Sequence, residues 1–138
     1  MKKYIFIVSL LCLLAACTGK RQGEAAAKVA ALPAVEDVVM YQVNPRVFAP
    51  EKSFKAVERR LDSIQTLGIN VVWFMPINEV GQEKSVNSPY CVKDYKGVNP
   101  EFGTLDEFKA LVATCHQKGI NVIIDWVANH TSWDNAWI

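Results

Sequence analysis

Residues 120–130, INVIIDWVANH, limit the possible folds of this chain more than any other segment does. An apolar run of strand length ends abruptly in a carboxylate, an amide and an imidazole, which are supplied by Asp125, Asn129 and His130. A nearly continuous apolar run is typical of a strand that is buried on both faces of a parallel sheet. The carboxyl ends of such strands are where α/β enzymes hold their reactive side chains. We therefore expect a functional site to begin at this strand end.

Two further apolar runs precede this strand, and we expect them to form strands at residues 38–43 and 69–75. The segments between the three strands have the apolar spacing of amphipathic helices, apart from a long connection at residues 77–103 that is rich in turn-forming residues. The predicted order is therefore βαβαβ. Its crossovers are long enough for right-handed parallel units, which indicates an α/β fold.

Both predicted helices carry apolar side chains at helical spacing: Phe54, Val57, Leu61, Ile64 and Leu67 in the first, and Leu105, Phe108, Leu111, Val112 and Cys115 in the second. Ser53 is expected to cap the first helix and Gly68 to end it. Thr104 and Glu107 have the spacing of a capping box, and Gly119 is expected to end the helix that this box opens.

Two architectures suit this order of elements, namely an open doubly wound sheet and the first part of a (β/α)8 barrel. No glycine-rich phosphate-binding turn of a dinucleotide fold follows any of the strands. A complete barrel typically needs about 250 residues, so a 138-residue chain is expected to be an incomplete, N-terminal part of one. Three strands and two helices would leave an open edge and a half-covered core, which predicts poor independent folding.

Residues 1–16 have the pattern of a secretory signal peptide, because two lysines precede an apolar run that is too short to span a membrane. Residues 14–17, LAAC, resemble the lipobox of bacterial lipoproteins, which implies cleavage before Cys17 and lipidation of Cys17. The alternative is an ordinary signal peptide with an incidental cysteine. Several acyl chains would anchor the protein firmly to a membrane, whereas one chain anchors only marginally.

The rest of the chain divides into residues 17–36, expected to be a lipidated cysteine with a flexible tether, and residues 37–138, expected to be the first three βα units of the barrel. The residues after Cys17 lack the aspartate that commonly retains lipoproteins at the inner membrane. We therefore expect the protein in a bacterial cell envelope, at the outer rather than the inner membrane.

Charge and cysteine content narrow the classes of partner. The predicted signal holds two of the 15 basic residues and none of the 14 acidic ones, so the remainder has 13 basic and 14 acidic side chains and a net charge of about −1. A nearly neutral chain does not favour nucleic acid as a partner. Cys91 and Cys115 are too few for a disulfide framework, and the helical pattern places Cys115 in the core, although an oxidising compartment would allow them to bond.

Three segments resemble the α-amylase family of glycoside hydrolases. Residues 125–130, DWVANH, are similar to the family's D-x-V-x-N-H region, with a tryptophan where a small aliphatic residue is common. Residues 88–104 resemble the segment between the family's second strand and second helix, and residues 41–48 resemble its first strand and loop. The resemblance covers residues 37–138. It implies a (β/α)8 barrel and a parent enzyme that hydrolyses or transfers α-glucosidic linkages in starch-like glucans with retention.

The resemblance also implies roles for single residues. Tyr90 would stack on the sugar that precedes the scissile bond, because an aromatic ring suits the apolar face of a pyranose. His130 would donate a hydrogen bond to the same sugar, and Asp125 would organise the polar network of the site. Asn129 would be a ligand of a structural calcium ion, which prefers oxygen donors. For each residue a purely structural role in packing or capping stays open. Trp133 and Trp137 are candidates for lining a carbohydrate groove.

Retention requires a nucleophilic and an acid/base carboxylate about 5–5.5 Å apart. In the family that the chain resembles, the nucleophile lies in a G-x-R-x-D segment on the fourth strand and the acid/base glutamate follows the fifth. Neither segment occurs before Ile138, so we expect both catalytic carboxylates downstream of Ile138 and expect the chain by itself to be catalytically inert. Two alternatives are a surface glycan-binding lipoprotein on the same barrel without these carboxylates, and an unrelated doubly wound binding domain.

Overall fold

A computed structural model of the protein describes residues 31–138. The predicted signal peptide, Cys17 and most of the predicted tether lie outside the described residues. A 3-10 turn at Val35–Asp37 precedes eight elements, which are β1 (Met40–Val43), α1 (Pro45–Phe48), α2 (Ser53–Thr66), β2 (Val71–Phe74), β3 (Glu79–Val80), β4 (Val92–Asp94), α3 (Leu105–Gln117) and β5 (Asn121–Ile124). The predicted βαβαβ order is confirmed in β1, α2, β2, α3 and β5.

The main sheet contains three parallel strands in the order β1-β2-β5. Its register places Gln42 beside Trp73 and Trp73 beside Ile123, so the carboxyl ends of the three strands meet at one edge. A strand order that follows the chain order occurs in one half of a doubly wound sheet as well as in a barrel. The order alone therefore does not distinguish the two predicted architectures.

A second, antiparallel sheet formed by β3 and β4 lies within the long connection for which no strand was predicted. Strands of two and three residues are too short to carry a recognisable alternation of apolar and polar side chains. The loop between them, residues 81–91, carries Tyr90. This small sheet therefore fixes both ends of the segment on which one of the predicted site residues lies.

One face of the main sheet, which we call the helical face, is covered by α2 and α3 and forms the core. Phe108 lies at the centre of this core, with its ring centroid 5.0 Å from that of Phe54 and 5.6 Å from that of Phe74. The Phe74–Phe108 pair is edge-to-face, a preferred geometry for aromatic rings that contributes about 0.5–1.5 kcal/mol beyond the buried area. Cys115 is fully buried here, as predicted, and both Cys115 and Cys91 are free thiols.

Three of the helix boundaries that were predicted from the sequence are confirmed. Gly68 and Gly119 both have left-handed backbone angles, with φ of +79° and +74°, and each follows the last turn of its helix as predicted. The capping box is also confirmed, because the Glu107 amide donates to Thr104 Oγ1 over 3.1 Å and the Thr104 amide donates to Glu107 Oε2 over 2.9 Å.

Other local predictions were wrong. Ser53 does not cap α2, because its hydroxyl donates to the Pro45 carbonyl, 2.7 Å away, and Lys52 occupies the N-cap position. Leu67 is 67% exposed instead of buried, since the chain turns away at the end of α2. The first strand begins two residues later than predicted, at Met40, because the Val39 amide donates to the side chain of Asn70 instead of pairing in the sheet.

The opposite face of the main sheet, which we call the open face, carries Met40, Gln42, Trp73 and Ile123. Met40 and Ile123 are each 44% exposed. In a (β/α)8 barrel the face away from the helices is the interior, which side chains from alternate strands fill. None of the helices between residues 31 and 138 is long and apolar enough to cross a membrane.

Candidate functional site

The candidate site lies at the edge where the parallel strands end. Asp125 directly follows β5, and its backbone amide donates to the carbonyl of Phe74, the last residue of β2, over 2.9 Å. This bond continues the parallel pairing by one residue and fixes the backbone of Asp125 against β2. The carboxylate of Asp125 is thereby held at the rim of the sheet, as the sequence predicted.

The Asp125 carboxylate joins three distant parts of the chain. Its Oδ1 accepts a hydrogen bond from Trp73 Nε1 over 2.7 Å, and its Oδ2 accepts one from the Tyr90 hydroxyl over 2.8 Å. Hydrogen bonds to an ionised carboxylate are stronger than those between neutral groups. Both oxygens of the half-buried Asp125 are thus used to orient aromatic side chains, one from β2 on the open face and one from the loop between β3 and β4.

This contact also acts on the ionisation of Tyr90. The hydrogen bond to Asp125 raises the pKa of Tyr90 above its usual value of 10.0, and burial and the negative charge of Asp125 act in the same direction. The hydroxyl therefore stays protonated at neutral pH and keeps donating to the carboxylate. Because 36% of Tyr90 is exposed, part of the side chain stays accessible to a ligand while its hydroxyl is held.

The loop that carries Tyr90 is held from two sides. Arg46 Nη1 donates to the Asn87 carbonyl over 2.7 Å, Arg46 Nη2 lies 3.4 Å from Asn87 Oδ1, and Arg46 Nε lies 3.5 Å from Glu101 Oε2. On the other side, the Gln82 amide donates to Asp134 Oδ2 over 3.0 Å. These contacts restrict the loop at positions before Tyr90 and so restrict the direction of its ring.

His130 is exposed, and its place is set through its backbone. The Tyr95 hydroxyl lies 2.7 Å from the carbonyl oxygen of His130 and 2.8 Å from that of Val127, so it holds the segment after β5. The imidazole Nδ1 lies 3.3 Å from Asn129 Nδ2. Within residues 31–138, the hydrogen bonds bring Asp125 and Tyr90 together but do not link the imidazole to either of them.

The side chain of Asn129 could provide only one oxygen ligand for the predicted calcium ion. Calcium binds six to eight oxygen ligands, usually including carboxylates. Between residues 31 and 138 there is no group of three or more His, Cys, Asp or Glu side chains placed to hold a metal ion. The described residues alone therefore do not fit a calcium site.

The catalytic carboxylates are expected downstream of Ile138, which is the last of the described residues, so their placement stays a prediction. Ile138 itself is 77% exposed, and its amide donates to the carbonyl of Asn135 over 3.0 Å.

Sequence reasoning missed Trp73 and Arg46 as members of the site. Trp73 lies inside an apolar strand, where a tryptophan is expected to pack, and no local pattern shows that its Nε1 reaches Asp125, 52 residues away. Arg46 lies in a segment that the resemblance covered, so its position was a usable signal although its contact with Asn87 was not.

The same chain segment is found in known proteins. Residues 51–138 match the family described as "Alpha amylase, catalytic domain". The chain is 33% identical over 107 residues to an oligo-1,6-glucosidase of Halalkalibacterium halodurans, a match that covers 74% of this chain and 18% of the relative. It is 37% identical over 103 residues to the amino acid transporter heavy chain SLC3A1 of Homo sapiens, covering 71% and 15%.

Among solved structures, an alpha-amylase from Lactobacillus plantarum is similar with a TM-score of 0.67 and 40% identity, covering 72% of this chain and 24% of that chain. The chain thus spans less than a fifth of the length of the curated relatives named above. The structural match decides between the two architectures in favour of the barrel. The chain belongs to the alpha-amylase family, and its three parallel strands, β1, β2 and β5, form the N-terminal part of that family's (β/α)8 barrel.

Proposed function

We propose that this chain supplies one wall of the sugar-binding site of a retaining hydrolase or transglycosidase that acts on α-glucosidic linkages in starch-like glucans. The observation that carries the proposal is the joint contact of Asp125 with Trp73 and Tyr90 at the carboxyl edge of the sheet. Family membership adds the reaction class, since relatives with the same segment include an oligo-1,6-glucosidase.

In this proposal the residues of the chain bind and orient the sugar. Tyr90 presents its ring to the apolar face of the pyranose before the scissile bond, and Asp125 keeps that ring in place. His130, which is exposed, donates a hydrogen bond to a hydroxyl of the same sugar. Asp125 is assigned an orienting role and not that of the nucleophile, because it follows the third parallel strand whereas the family's nucleophile lies on the fourth, and because its oxygens hold Trp73 and Tyr90. The two carboxylates that retention requires are therefore other residues, which we place downstream of Ile138.

The test uses the full-length native protein with p-nitrophenyl α-glucoside, maltooligosaccharides and isomaltose as substrates. Tyr90→Ala removes the ring, and we expect kcat/KM to fall about 100-fold, whereas Tyr90→Phe removes only the hydroxyl and should cost about tenfold. Thermal unfolding of both variants controls for loss of structure. If the wild-type protein neither hydrolyses nor transfers any of these glucosides, the proposed function is wrong.

A second candidate is a glycan-binding protein that has no catalytic activity. It is supported by the similarity to a relative that is named an amino acid transporter heavy chain, which means that this segment is shared beyond proteins named as hydrolases. The two candidates differ in one observable. A binder retains maltooligosaccharides at equilibrium without producing shorter sugars, whereas the enzyme converts them.

We also propose that Cys17 carries a lipid anchor in the outer membrane and that the protein binds a structural calcium ion through Asn129 together with oxygen donors other than the described residues. Cys17→Ser should move the protein from the membrane fraction to the soluble fraction and abolish incorporation of labelled palmitate. Removal of calcium with a chelator should lower the Tm of the wild type but not that of Asn129→Ala. An unchanged membrane fraction, or an unchanged Tm, would contradict the respective proposal.

A further inference from the structure

A second cleft, of about 430 Å³, lies apart from the Asp125 carboxylate. It is lined by Glu79 of β3, by residues 93–96 at the end of β4 and just after it, and by residues 134–137. Its connection to the candidate site is the ring of Tyr95, which lines the cleft while its hydroxyl holds the carbonyl of His130. The cleft is therefore adjacent to the proposed sugar site without sharing Tyr90 or Asp125.

One wall of the cleft is an aromatic pair. The rings of Tyr95 and Trp137 are nearly parallel, with centroids 5.2 Å apart and planes inclined by 8°. Trp137 is nevertheless 71% exposed, so contact with Tyr95 covers only part of its indole. The Trp137 amide donates to Asn135 Oδ1 over 2.9 Å, and Asn135 is buried, which fixes the backbone that carries the indole. The result is a flat, supported aromatic surface that faces solvent.

The charges in the cleft nearly cancel. Lys93 Nζ lies 3.0 Å from Glu79 Oε1, and this contact raises the pKa of Lys93. The Gln82 amide lowers the pKa of Asp134, so both groups are charged at neutral pH. With Asp94 and Lys96, the lining holds three carboxylates and two ammonium groups. This nearly neutral lining does not favour a strongly anionic ligand or a strongly cationic one.

The carboxylates also offer acceptors for hydroxyl groups. Asp94 uses Oδ1 to accept the Lys96 amide over 2.8 Å, and Glu79 uses Oε1 for Lys93. The second oxygen of each has no hydrogen-bond partner among residues 31–138. A ligand that is neutral, has one apolar face and carries several hydroxyl donors suits this combination, and a pyranose has these three properties.

We propose that this cleft is a second carbohydrate-binding site, in which a pyranose stacks on Trp137 and donates hydroxyl hydrogen atoms to Glu79 and Asp94. The class of ligand follows from the cleft itself, whereas the choice of an α-glucan as the probe rests on the proposed function. A long glucan can occupy both sites at once, whereas a substrate with a single sugar cannot span them. The second site would therefore raise the affinity of the protein for long glucan chains.

The test compares Trp137→Ala and Trp137→Phe with the matched control Trp133→Ala in the full-length protein. Trp133 is also exposed but does not line the cleft, and Lys84 Nζ lies 3.7 Å from its ring centroid. Binding is measured by affinity electrophoresis in gels that contain amylose, and it is repeated in a Tyr90→Ala background, which weakens the first site. Hydrolysis of p-nitrophenyl α-glucoside and the Tm are measured in parallel.

We expect Trp137→Ala to weaken amylose binding about tenfold, in both backgrounds, and to change KM for the aryl glucoside less than about twofold. Trp137→Phe should lose less affinity, and Trp133→Ala should bind amylose as the wild type does. Unchanged amylose binding in Trp137→Ala overturns the proposal. The proposal is also overturned if Trp137→Ala lowers aryl glucoside hydrolysis as much as it lowers amylose binding and lowers the Tm as well. Such a result would assign Trp137 a purely structural role. If amylose binding depends on Trp137 but no glucoside is hydrolysed, the second site stands and the proposed enzymatic function fails.

Discussion

The helical face of the main sheet and the carboxyl edge of the same sheet are built from adjacent residues but by different means. On the helical face, Val43, Val72 and Phe74 are at most 1% exposed and pack against the aromatic core. At the carboxyl edge, one residue beyond Phe74 in the pairing, Asp125 is held by hydrogen bonds to aromatic side chains. The first region depends on apolar contact over a large area, and the second depends on a few directed bonds.

This difference separates stability from binding. Burial of apolar surface is non-directional, whereas a hydrogen bond to a carboxylate fixes a side chain in one direction. A substitution on the helical face should therefore change the free energy of unfolding and leave the affinity of the folded protein intact. A substitution at the carboxyl edge should chiefly lower affinity and activity, with a smaller effect on the free energy of unfolding.

The largest expected effect is that of Phe108→Ala on stability. Phe108 packs between Phe54 and Phe74, so the truncation leaves a cavity that the core cannot fill, and we expect a loss of about 3–5 kcal/mol in the free energy of unfolding. Leu67→Ala, at an exposed leucine just after α2, is the control and should cost less than about 1 kcal/mol. Denaturant unfolding of the full-length protein measures both. Equal losses in the two variants would show that Phe108 contributes no more to the stability of the core than an exposed leucine does.

The second effect is that of Asp125→Asn on activity. An amide in place of the carboxylate loses the charge. Its oxygen can accept from only one of the two side chains, and since Trp73 Nε1 can only donate, the Tyr90 hydroxyl must turn from donor to acceptor to bond with the amide nitrogen. We expect kcat/KM for α-glucosides to fall about 100-fold, since each bond to a charged group contributes about 1.5–3 kcal/mol. Asp62→Asn, on the exposed side of α2, removes the same charge and should change kcat/KM less than twofold. A comparable fall in both variants would refute a specific role for Asp125.

The same contrast explains what could be predicted from the sequence. The helical face was predictable because its signals are local: Phe54, Val57, Leu61 and Ile64 recur at the helical period, and all four are buried. The capping box of α3 and the glycines after both long helices are local as well. Where the chain relied on non-local contacts, as in the Ser53 hydroxyl bond to Pro45, the prediction was wrong.

The site was predictable only in part. The polar side chains after β5 predicted a site at this edge, and the resemblance to the family named Tyr90 as a candidate, which the structure places in contact with Asp125. Neither revealed the contact of Tyr90 with Asp125, or the role of Trp73, because these bonds join positions 35 and 52 residues apart. Spacing along one sequence does not encode such pairs. They arise when parallel strands bring their ends to one edge.

We expect a smaller effect on activity from a substitution of Arg46, which lies outside the carboxyl edge and holds the loop that carries Tyr90. Arg46 uses two guanidinium nitrogens on Asn87 and a third on Glu101, a geometry that a lysine cannot reproduce. We expect Arg46→Lys to raise KM about fivefold by loosening the loop that carries Tyr90, with kcat nearly unchanged. Arg59→Lys, at an exposed position of α2, is the matched control. If both substitutions leave KM unchanged, the loop is held by its other contacts alone.

The smallest expected effect is a pH dependence of the free energy of unfolding that is caused by ionisation of Tyr90. Its pKa is raised in the folded protein, chiefly by the hydrogen bond to Asp125, so the stabilisation from this bond is fully present below pH 10.0 and is lost as the pH rises through the raised pKa. Above pH 10.0 the free energy of unfolding of the wild type should therefore decline more steeply than that of Tyr90→Phe, which has no phenol to ionise at this position. Ultraviolet difference absorbance of the phenolate, recorded for the two proteins, gives the pKa of Tyr90 directly. A value at or below 10.0 would mean that the bond to Asp125 does not hold the phenol in solution, and the carboxyl edge would then lack the directed contact that distinguishes it from the helical face.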